Sequence, residues 1–279
     1  MSKTLEKFFR VFLYVSITIL AILFLIPIVW VIVTSLKLPG QVYTEPPIWI
    51  PKDIIWTNYV DIFTKVPLLR YGLNSIIVAG LSTIGTLISC SFVAFSLSRL
   101  KWPGRDFVFL MVLGTMMLPA VVTLIPTYVI YTRLHWVDTY YPLILPSWLG
   151  ANAFNIFLLR QFMYSIPHEL DEAARMDGAS SIRILFQIMY PLSKPALATV
   201  TIFSFLGSYN DLLGPAMYIT TNIKYTLPMA LYALAGTYGQ FWPYVMAASV
   251  LMTVPIILIF VLFQNQFIRG IQMTGLAGR

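Results

Sequence analysis

Six stretches of the chain are apolar over lengths that a soluble helix does not require, and they limit the fold more than any other feature of the sequence. About 20 apolar residues form a helix that crosses the roughly 30 Å of hydrocarbon in a bilayer. Strands of a membrane barrel would alternate apolar and polar residues over about ten positions, and these stretches do not alternate. The sequence therefore predicts an all-α membrane protein with six transmembrane helices, near residues 13–35, 73–97, 107–131, 142–160, 196–216 and 243–267.

Composition and charge agree with this class. Only 10% of the residues are charged and the mean hydropathy is +0.80, whereas soluble domains carry about 25% charged residues. Six spans put both termini on one side of the membrane. If that side is the cytoplasm, 12 of the 18 Lys and Arg residues lie inside, as the positive-inside rule requires. We interpret the first stretch as a retained span, because it is longer than the apolar part of a signal peptide.

The densest charge in the chain lies between spans four and five, in the segment ELDEAARMDGASSIRILFQIMYP, residues 169–191. The predicted topology places this segment in the cytoplasm. Its charges would cost roughly 3 kcal/mol each at the centre of a bilayer. The segment is therefore expected to contact water or another protein.

Capping residues divide this segment into two helices. Ser165 is a predicted N-cap, and Pro167 suits the first helical turn, where its missing N–H is harmless. Gly178 can adopt the left-handed conformation that ends a helix. Ser180 or Ser181 can cap a second helix that continues to the end of the segment. The pattern predicts a helix of about ten residues, a tight turn and another helix.

The spacing of this segment resembles the EAA loop in the membrane subunits of ATP-binding-cassette (ABC) importers. The matching residues are Glu172-Ala173-Ala174, Gly178, Ile188 and Pro191. Tyr190, where that family usually has leucine, departs from the pattern. Further similarities point to the carbohydrate-uptake branch, the maltose-type permeases: Asn74-Ser75, Arg160-Gln161-Phe162, Asp177-Gly178-Ala179-Ser180, Tyr209-Asn210-Asp211 and Thr226-Leu227-Pro228. The resemblance implies one permease domain over residues 1–279, with the type I importer bundle and a coupling helix in the loop 161–195.

The resemblance also implies partners. In the family, a coupling helix at the position of residues 167–178 docks in a cleft on a cytosolic ATPase. Its expected contact residues are Pro167, His168, Glu169, Glu172, Ala173, Ala174, Arg175, Asp177 and Gly178. Glu172 would accept hydrogen bonds from basic groups of the ATPase or pair with Arg175. The implied assembly contains a second, homologous permease, two ATPase subunits, an extracytoplasmic solute-binding protein and membrane lipid, in a bacterial or archaeal cytoplasmic membrane.

No chemistry is expected from the chain itself. It contains no G-x-x-x-x-G-K-[ST] segment, which would cradle ATP phosphates, and no nucleophile–base pair or metal cluster. ATP and Mg²⁺ are therefore expected on the partner ATPases. No Lys or Arg run is long enough to indicate a nucleic-acid partner.

Polar and aromatic residues near the spans are candidates for contacts with solute and binding protein, because polar groups at bilayer depth are functional candidates. The pathway candidates are Asn74, Ser75, Tyr128, Asn152, Tyr209, Asn210 and Asp211. Helix caps and solvated helix ends are the alternative reading of these residues. The resemblance implies that the external loop 217–242 contacts the binding protein through Tyr238, Gln240 and Phe241, although these residues equally suit an aromatic belt at the bilayer interface.

The leading hypothesis is thus the permease subunit of an ATP-driven, binding-protein-dependent importer of a sugar or oligosaccharide. An importer of the same mechanism for another solute, such as a glycerol phosphoester, is the nearest alternative. A stand-alone secondary transporter or channel is disfavoured, because the spans contain no carboxylate relay. A membrane-embedded enzyme is disfavoured because no catalytic cluster exists.

Overall fold

A computed structural model describes residues 3–237 and 241–276, and every regular element in those ranges is helical. Helices too short to cross a membrane separate the long ones. In chain order the α-helices are α1 (Lys3–Ser35), α2 (Thr57–Lys65), α3 (Leu68–Arg99), α4 (Arg105–Thr115), α5 (Ala120–Arg133), α6 (Tyr141–Trp148), α7 (Ala153–Ser165), α8 (Glu169–Met176), α9 (Ser181–Ile184), α10 (Tyr190–Leu192), α11 (Lys194–Tyr209), α12 (Leu213–Tyr218), α13 (Leu227–Thr237) and α14 (Trp242–Leu276).

Four of the six predicted spans coincide with helical stretches that are long and apolar enough to cross a membrane. These stretches are Lys7–Ser35, Leu68–Arg99, Tyr141–Ser165 and Trp242–Leu262. The fifth predicted span contains α11, which has 16 residues and at 1.5 Å per residue is about 24 Å long.

Two of the predicted spans are interrupted, the third and also the fourth, which lies in the stretch Tyr141–Ser165 named above. The third is divided into α4 and α5 at Pro119. This proline has an extended backbone and is the N-cap of α5, and proline also disfavours helical geometry in the residue before it. The fourth is divided into α6 and α7 by Gly150, which has φ of +75°. Asn152 then caps α7, and its side chain accepts a hydrogen bond from the Asn155 amide.

The chain forms two compact units, the first of which contains residues 1–68 and 231–254. Within it, Asn58 caps the end of α1, because its Nδ2 donates to the carbonyl oxygens of Ser35 at 2.8 Å and Lys37 at 3.0 Å. Along α1 only 6% of the most apolar window is buried, and side chains such as Phe24 are largely exposed. Such an apolar and mostly exposed helix suits contact with lipid.

The second unit contains residues 69–230 and 255–279. Its core joins α3, α4, α7, the α9 region and α11. The buried residues are Cys90, Ala94, Phe95, Leu97, Phe109, Ile156, Leu159, Met163, Ile166, Ile184, Leu185, Met189, Ala196 and Val200. Both helices that flank α8 therefore contribute to the same core.

Small residues on α3 allow α6 to approach closely. A Cβ at Gly85 would overlap the ring of Trp148, whose Nε1 donates to the Leu81 carbonyl at 3.1 Å. One turn before Gly85, Ser82 donates to the Leu143 carbonyl of α6 at 3.0 Å. One turn after it, Ser89 donates to the Ser147 carbonyl of α6 at 2.7 Å. Close backbone approach with interhelical hydrogen bonds is how helices associate where no hydrophobic driving force exists between them.

Candidate functional site

The predicted coupling helix forms as α8, residues Glu169–Met176. The N-cap prediction for Ser165 is wrong, because this serine is the last residue of α7 and its Oγ donates back to the Phe162 carbonyl at 2.7 Å. Ile166 is extended, as expected for a residue before proline, so His168 takes the N-cap position of α8 instead. The acidic residues of the first turn lie at the positive end of the helix dipole, where they stabilise the helix.

The turn after α8 confirms two predictions. Gly178 has φ of +81°, the left-handed conformation that glycine adopts without steric cost. Ser180 caps the next helix, and its Oγ accepts from the Arg183 amide at 3.3 Å. That helix continues into a π-helical turn, Leu185–Met189. Pro191 follows and cannot donate a backbone hydrogen bond, which is a common cause of such irregular turns.

The predicted contact residues lie mainly on the outer surface of α8 and its flanks. Ala174 is partly buried against the core, and the other eight predicted residues are exposed. Glu172 and Arg175 form no ion pair with each other among the salt bridges of the described ranges, which leaves both side chains available to a partner.

Two large apolar side chains on α8 are also exposed, and the sequence-based prediction did not include them. Leu170 is 43% exposed and Met176 is 89% exposed. They place apolar area on the exposed surface of a short charged helix, which a partner could bury. Their apolar character within a charged segment was the available signal.

A buried arginine ties α8 to the bundle. Arg99, the last residue of α3, donates from Nη1 to Asp171 Oδ2 at 3.3 Å and contacts His168 Nδ1 at 3.1 Å. Its Nη2 donates to the carbonyl oxygens of Met163 and Ile166, the latter at 2.7 Å. The side chains of Arg99 and Asp171 are 0% and 7% exposed. Sequence analysis did not predict this cluster, in which the partners of Arg99 lie 64–72 residues further along the chain.

The segment 218–227, which we name the clasp segment, is held from the α5–α6 connection by Asp138. The carboxylate accepts from the backbone amides of Thr220 at 3.0 Å and Thr221 at 2.8 Å, from the Thr221 hydroxyl at 2.7 Å, and from Lys224 Nζ at 2.7 Å. These hydrogen bonds, first of all that from Lys224, hold the pKa of Asp138 well below its usual value.

The N-terminal part of α3 holds the same segment. Asn74 Nδ2 donates to the Ile223 and Tyr225 carbonyls at 2.9 Å each, and Ser75 Oγ accepts from the Leu227 amide at 2.7 Å. Asn74 and Ser75 are both 2% exposed. These two pathway candidates therefore bond to the backbone of the clasp segment, and their contact with solute stays a prediction.

Two other pathway candidates, Asn152 and Asp211, border one pocket of about 200 Å³. Its lining is rich in hydroxyl groups and contains one carboxylate. The lining residues are Ser82, Thr86, Leu143, Ser147, Asn152, Phe203, Ser204, Gly207, Ser208 and Asp211. The pocket lies between α3, α6 and α11, where a polar lining can hydrogen-bond a polar solute or water.

The remaining pathway candidates, Tyr209, Asn210 and Tyr128, are not among the lining residues of this pocket. Tyr209 is buried and stacks on Phe205 with ring centroids 5.4 Å apart. Asn210 is exposed and bonds back to the Leu206 carbonyl. Tyr128 is 39% exposed.

Tyr128 belongs to an aromatic cluster at the end of α5. Its ring stacks on Tyr218 at 6.1 Å, Tyr131 packs edge-on against Tyr218 at 5.3 Å, and Trp136 stacks on Tyr131 at 5.5 Å. The cluster adjoins the clasp segment, which begins at Tyr218. Sequence analysis identified Tyr128 as a pathway candidate but not its aromatic neighbours.

Of the three predicted binding-protein contacts, Tyr238 and Gln240 lie outside the described residues. Phe241 is 42% exposed and stacks on Tyr244 with ring centroids 6.1 Å apart. Its contact with a binding protein stays a prediction.

Comparison with known proteins finds relatives along the full chain. Residues 88–273 match the family model described as binding-protein-dependent transport system inner membrane component. The arabinooligosaccharides transport system permease protein AraQ of Bacillus subtilis is 31% identical over 97% of this chain and 96% of its own length. The trehalose/maltose transport system permease protein MalG of Thermococcus litoralis is 31% identical over 96% of this chain and 97% of its own.

A solved structure has the same fold. It is the crystal structure of a bacterial ABC transporter involved in the import of the acidic polysaccharide alginate, in which one chain is 25% identical to this one, with a TM-score of 0.81. The match covers 96% of this chain and 99% of that chain.

Proposed function

The chain belongs to the family of binding-protein-dependent transport system inner membrane components, and from this premise we propose that it lines a solute pathway together with a second, homologous permease subunit. It is a membrane-embedded permease subunit of an ABC importer. The exposed surface of α8 is the observation that supports coupling to an ATPase. Its exposed acidic and apolar residues form a short surface that two core-packed helices flank.

We assign α8 as the docking element for one of two cytosolic ATPase subunits, which bind ATP and Mg²⁺ and carry out hydrolysis. Leu170 and Met176 would enter an apolar cleft, while Glu169 and Glu172 would accept charge-assisted hydrogen bonds from basic groups. Both termini and α8 then lie in the cytoplasm. ATP-driven closure of the ATPase pair would displace α8, and the bundle would switch between inward- and outward-facing states by rigid-body motion.

A sugar or oligosaccharide is the solute class that the pocket favours. Hydroxyl and amide groups of the lining pair with sugar hydroxyls. Outside the pocket, the partly exposed ring of Tyr128 suits the C–H face of a pyranose ring. The names of the two relatives point to the same class. A glycerol phosphoester is disfavoured, because the pocket lining contains the carboxylate of Asp211 and no Lys or Arg.

The clasp segment is a proposed contact region for an extracytoplasmic solute-binding protein, and Phe241 is proposed separately as a contact residue for the same protein. The segment is fixed from both sides by Asp138 and Asn74. A fixed loop loses little conformational entropy on binding, and therefore suits a docking surface.

Purification from the native membrane tests the assembly. A second permease and two ATPase subunits are expected to co-purify with the chain, and recovery as a lone homo-oligomer that transports solute without ATP would contradict the proposal. The solute is then identified by uptake of labelled neutral oligosaccharides and glycerol phosphoesters, each with the cognate binding protein. Uptake of the phosphoester alone would refute the sugar assignment and leave the importer assignment intact.

A further inference from the structure

Arg99 occupies a place in the fold where three elements meet. It ends α3, and its Nη1 reaches Asp171 on α8. Its Nη2 reaches the Met163 carbonyl in the last turn of α7 and the Ile166 carbonyl directly after that helix. The last four carbonyl groups of a helix lack partners within the helix, so the guanidinium caps α7 while it holds α8. A single side chain thus connects two spans with the docking helix.

Only arginine can make this set of contacts. Its planar guanidinium carries five N–H donors in a fixed fork, whereas the ammonium group of lysine is a point donor on a flexible stem. The Arg99 side chain is fully buried, and a buried charge is costly unless it is paired and hydrogen-bonded. A buried ion pair is weak evidence for stability by itself. The elements that this pair connects are therefore a better indication of its role.

The connection is mechanical because α8 has few other links to the bundle. Asp171 is the buried residue of α8, and Ala174 contributes a partly buried methyl group to the core. Of the predicted contact residues, His168 at the start of the helix also contacts Arg99 Nη1 at 3.1 Å, and the others apart from Ala174 are exposed. A displacement of α8 must therefore pass through the Asp171–Arg99 pair, through Ala174 or through the two ends of the helix.

We propose that Arg99 is a positioning residue that fastens the coupling helix α8 to spans two and four, so that displacement of α8 moves these spans together. This inference rests on the proposed function, in which a cytosolic ATPase displaces α8. Neither Arg99 nor Asp171 needs to touch the ATPase or the solute.

The substitution Asp171→Asn separates this role from a general role in folding. It removes the carboxylate charge that pairs with Arg99, while Arg99 keeps its two carbonyl partners on the α7 side. The matched control is Asp106→Asn, because the Asp106 side chain is 74% exposed and pairs with Arg105 at 3.1 Å and, at the longer distance of 3.9 Å, with Arg160. Exposed pairs of this kind contribute little.

The complex is reconstituted in proteoliposomes, and both solute uptake and ATP hydrolysis are measured. With Asp171→Asn we expect normal recovery of ATPase subunits and continued hydrolysis. Solute uptake per ATP hydrolysed should fall by about 5-fold or more, since 5-fold is the lower end of typical coupling between sites. Arg99→Lys should lower the same ratio, whereas Asp106→Asn should leave it unchanged. A wild-type ratio in Asp171→Asn, with or without a lower yield of complex, would overturn the proposal.

A second measurement does not depend on transport. Nitroxide labels are attached at Met176→Cys on α8 and Phe107→Cys on α4 in a Cys90→Ser background, with the full chain in lipid nanodiscs. Double electron–electron resonance should give a broader distance distribution when Asp171→Asn is added. An unchanged width of the distance distribution would overturn the anchoring role. This result does not depend on transport, so it can be told apart from a failure of the proposed function, which would show as absent ATP-driven uptake by the unsubstituted complex.

Discussion

Substitution of Gly178 provides the sharpest local test of the docking helix. Its φ of +81° ends α8, and its amide donates to the Arg175 carbonyl at 3.0 Å. A Cβ built at this position meets no atom within 4 Å. Any effect of alanine is therefore a backbone effect and not a steric overlap with a neighbour.

The magnitude follows from the backbone geometry. An L-residue in the left-handed region costs roughly 1–2 kcal/mol, which shifts the balance between the formed and the open turn by a factor of about 5–30. Asparagine tolerates this region better than alanine. Proline is fixed near φ of about −65° and lacks an N–H, so it can neither adopt the conformation nor donate to Arg175.

The affinity of the ATPase subunits for the permease is therefore expected to be highest with the native Gly178. It should fall in the order Gly178→Asn, Gly178→Ala and Gly178→Pro. Alanine should weaken association by at most the factor given above, because a partner that binds only the formed turn loses affinity in proportion to its population. Membrane insertion should persist in all variants.

Association is measured by titrating purified ATPase subunits onto the permease in nanodiscs, and uptake is measured in parallel. Gly104 supplies the control, because it also has a left-handed φ, of +85°, and open space around its Cβ position. Gly104→Ala carries the same backbone strain outside α8 and should leave association unchanged. Normal association of Gly178→Pro would refute the assignment of α8 as the docking helix.

Three further substitutions test the surrounding structure. Asp138→Asn should raise hydrogen exchange of the clasp segment at pH 7, and equal exchange in both proteins would contradict the role of Asp138. The hydrogen bonds that lower the pKa of Asp138 stabilise the folded segment above about pH 4, and this contribution is lost as pH falls through the lowered pKa. Asn155→Leu should lower the free energy of unfolding by about 1–3 kcal/mol, measured by denaturation in detergent, because its Nδ2 donates to a buried hydroxyl on α11 at 3.0 Å; an unchanged value would show that the bond contributes nothing. Gly85→Ala should cost about 1–3 kcal/mol by displacing Trp148, whereas Gly80→Ala, with open space at its Cβ, should not; equal melting temperatures would refute the close contact.

Local sequence signals predicted α8 well, because its ends depend on neighbouring residues. Pro167 fixes the entry, Gly178 fixes the exit, and Ser180 begins the next helix within a few residues. Even so, Ser165 was misassigned as the N-cap, because the effect of Pro167 on the residue before it extends the chain and moves the cap to His168.

Contacts between distant segments were beyond the reach of these signals. Arg99 looked like one of several cytoplasmic cations that report topology, and only the fold brings it to Asp171, 72 residues away. The same limit applies to Asn74, a polar residue in a span whose backbone partners lie 149 and 151 residues further along the chain. Polarity at bilayer depth indicates that a side chain has a partner, but not which partner.

The dependence of uptake on ATP and on the binding protein tests the central claim most directly. The purified complex is placed in proteoliposomes with ATP trapped on the side of α8, and labelled solute with its binding protein is added on the other side. We expect solute to accumulate only when both ATP and the binding protein are present. Accumulation by this chain alone, without ATP, would contradict the account.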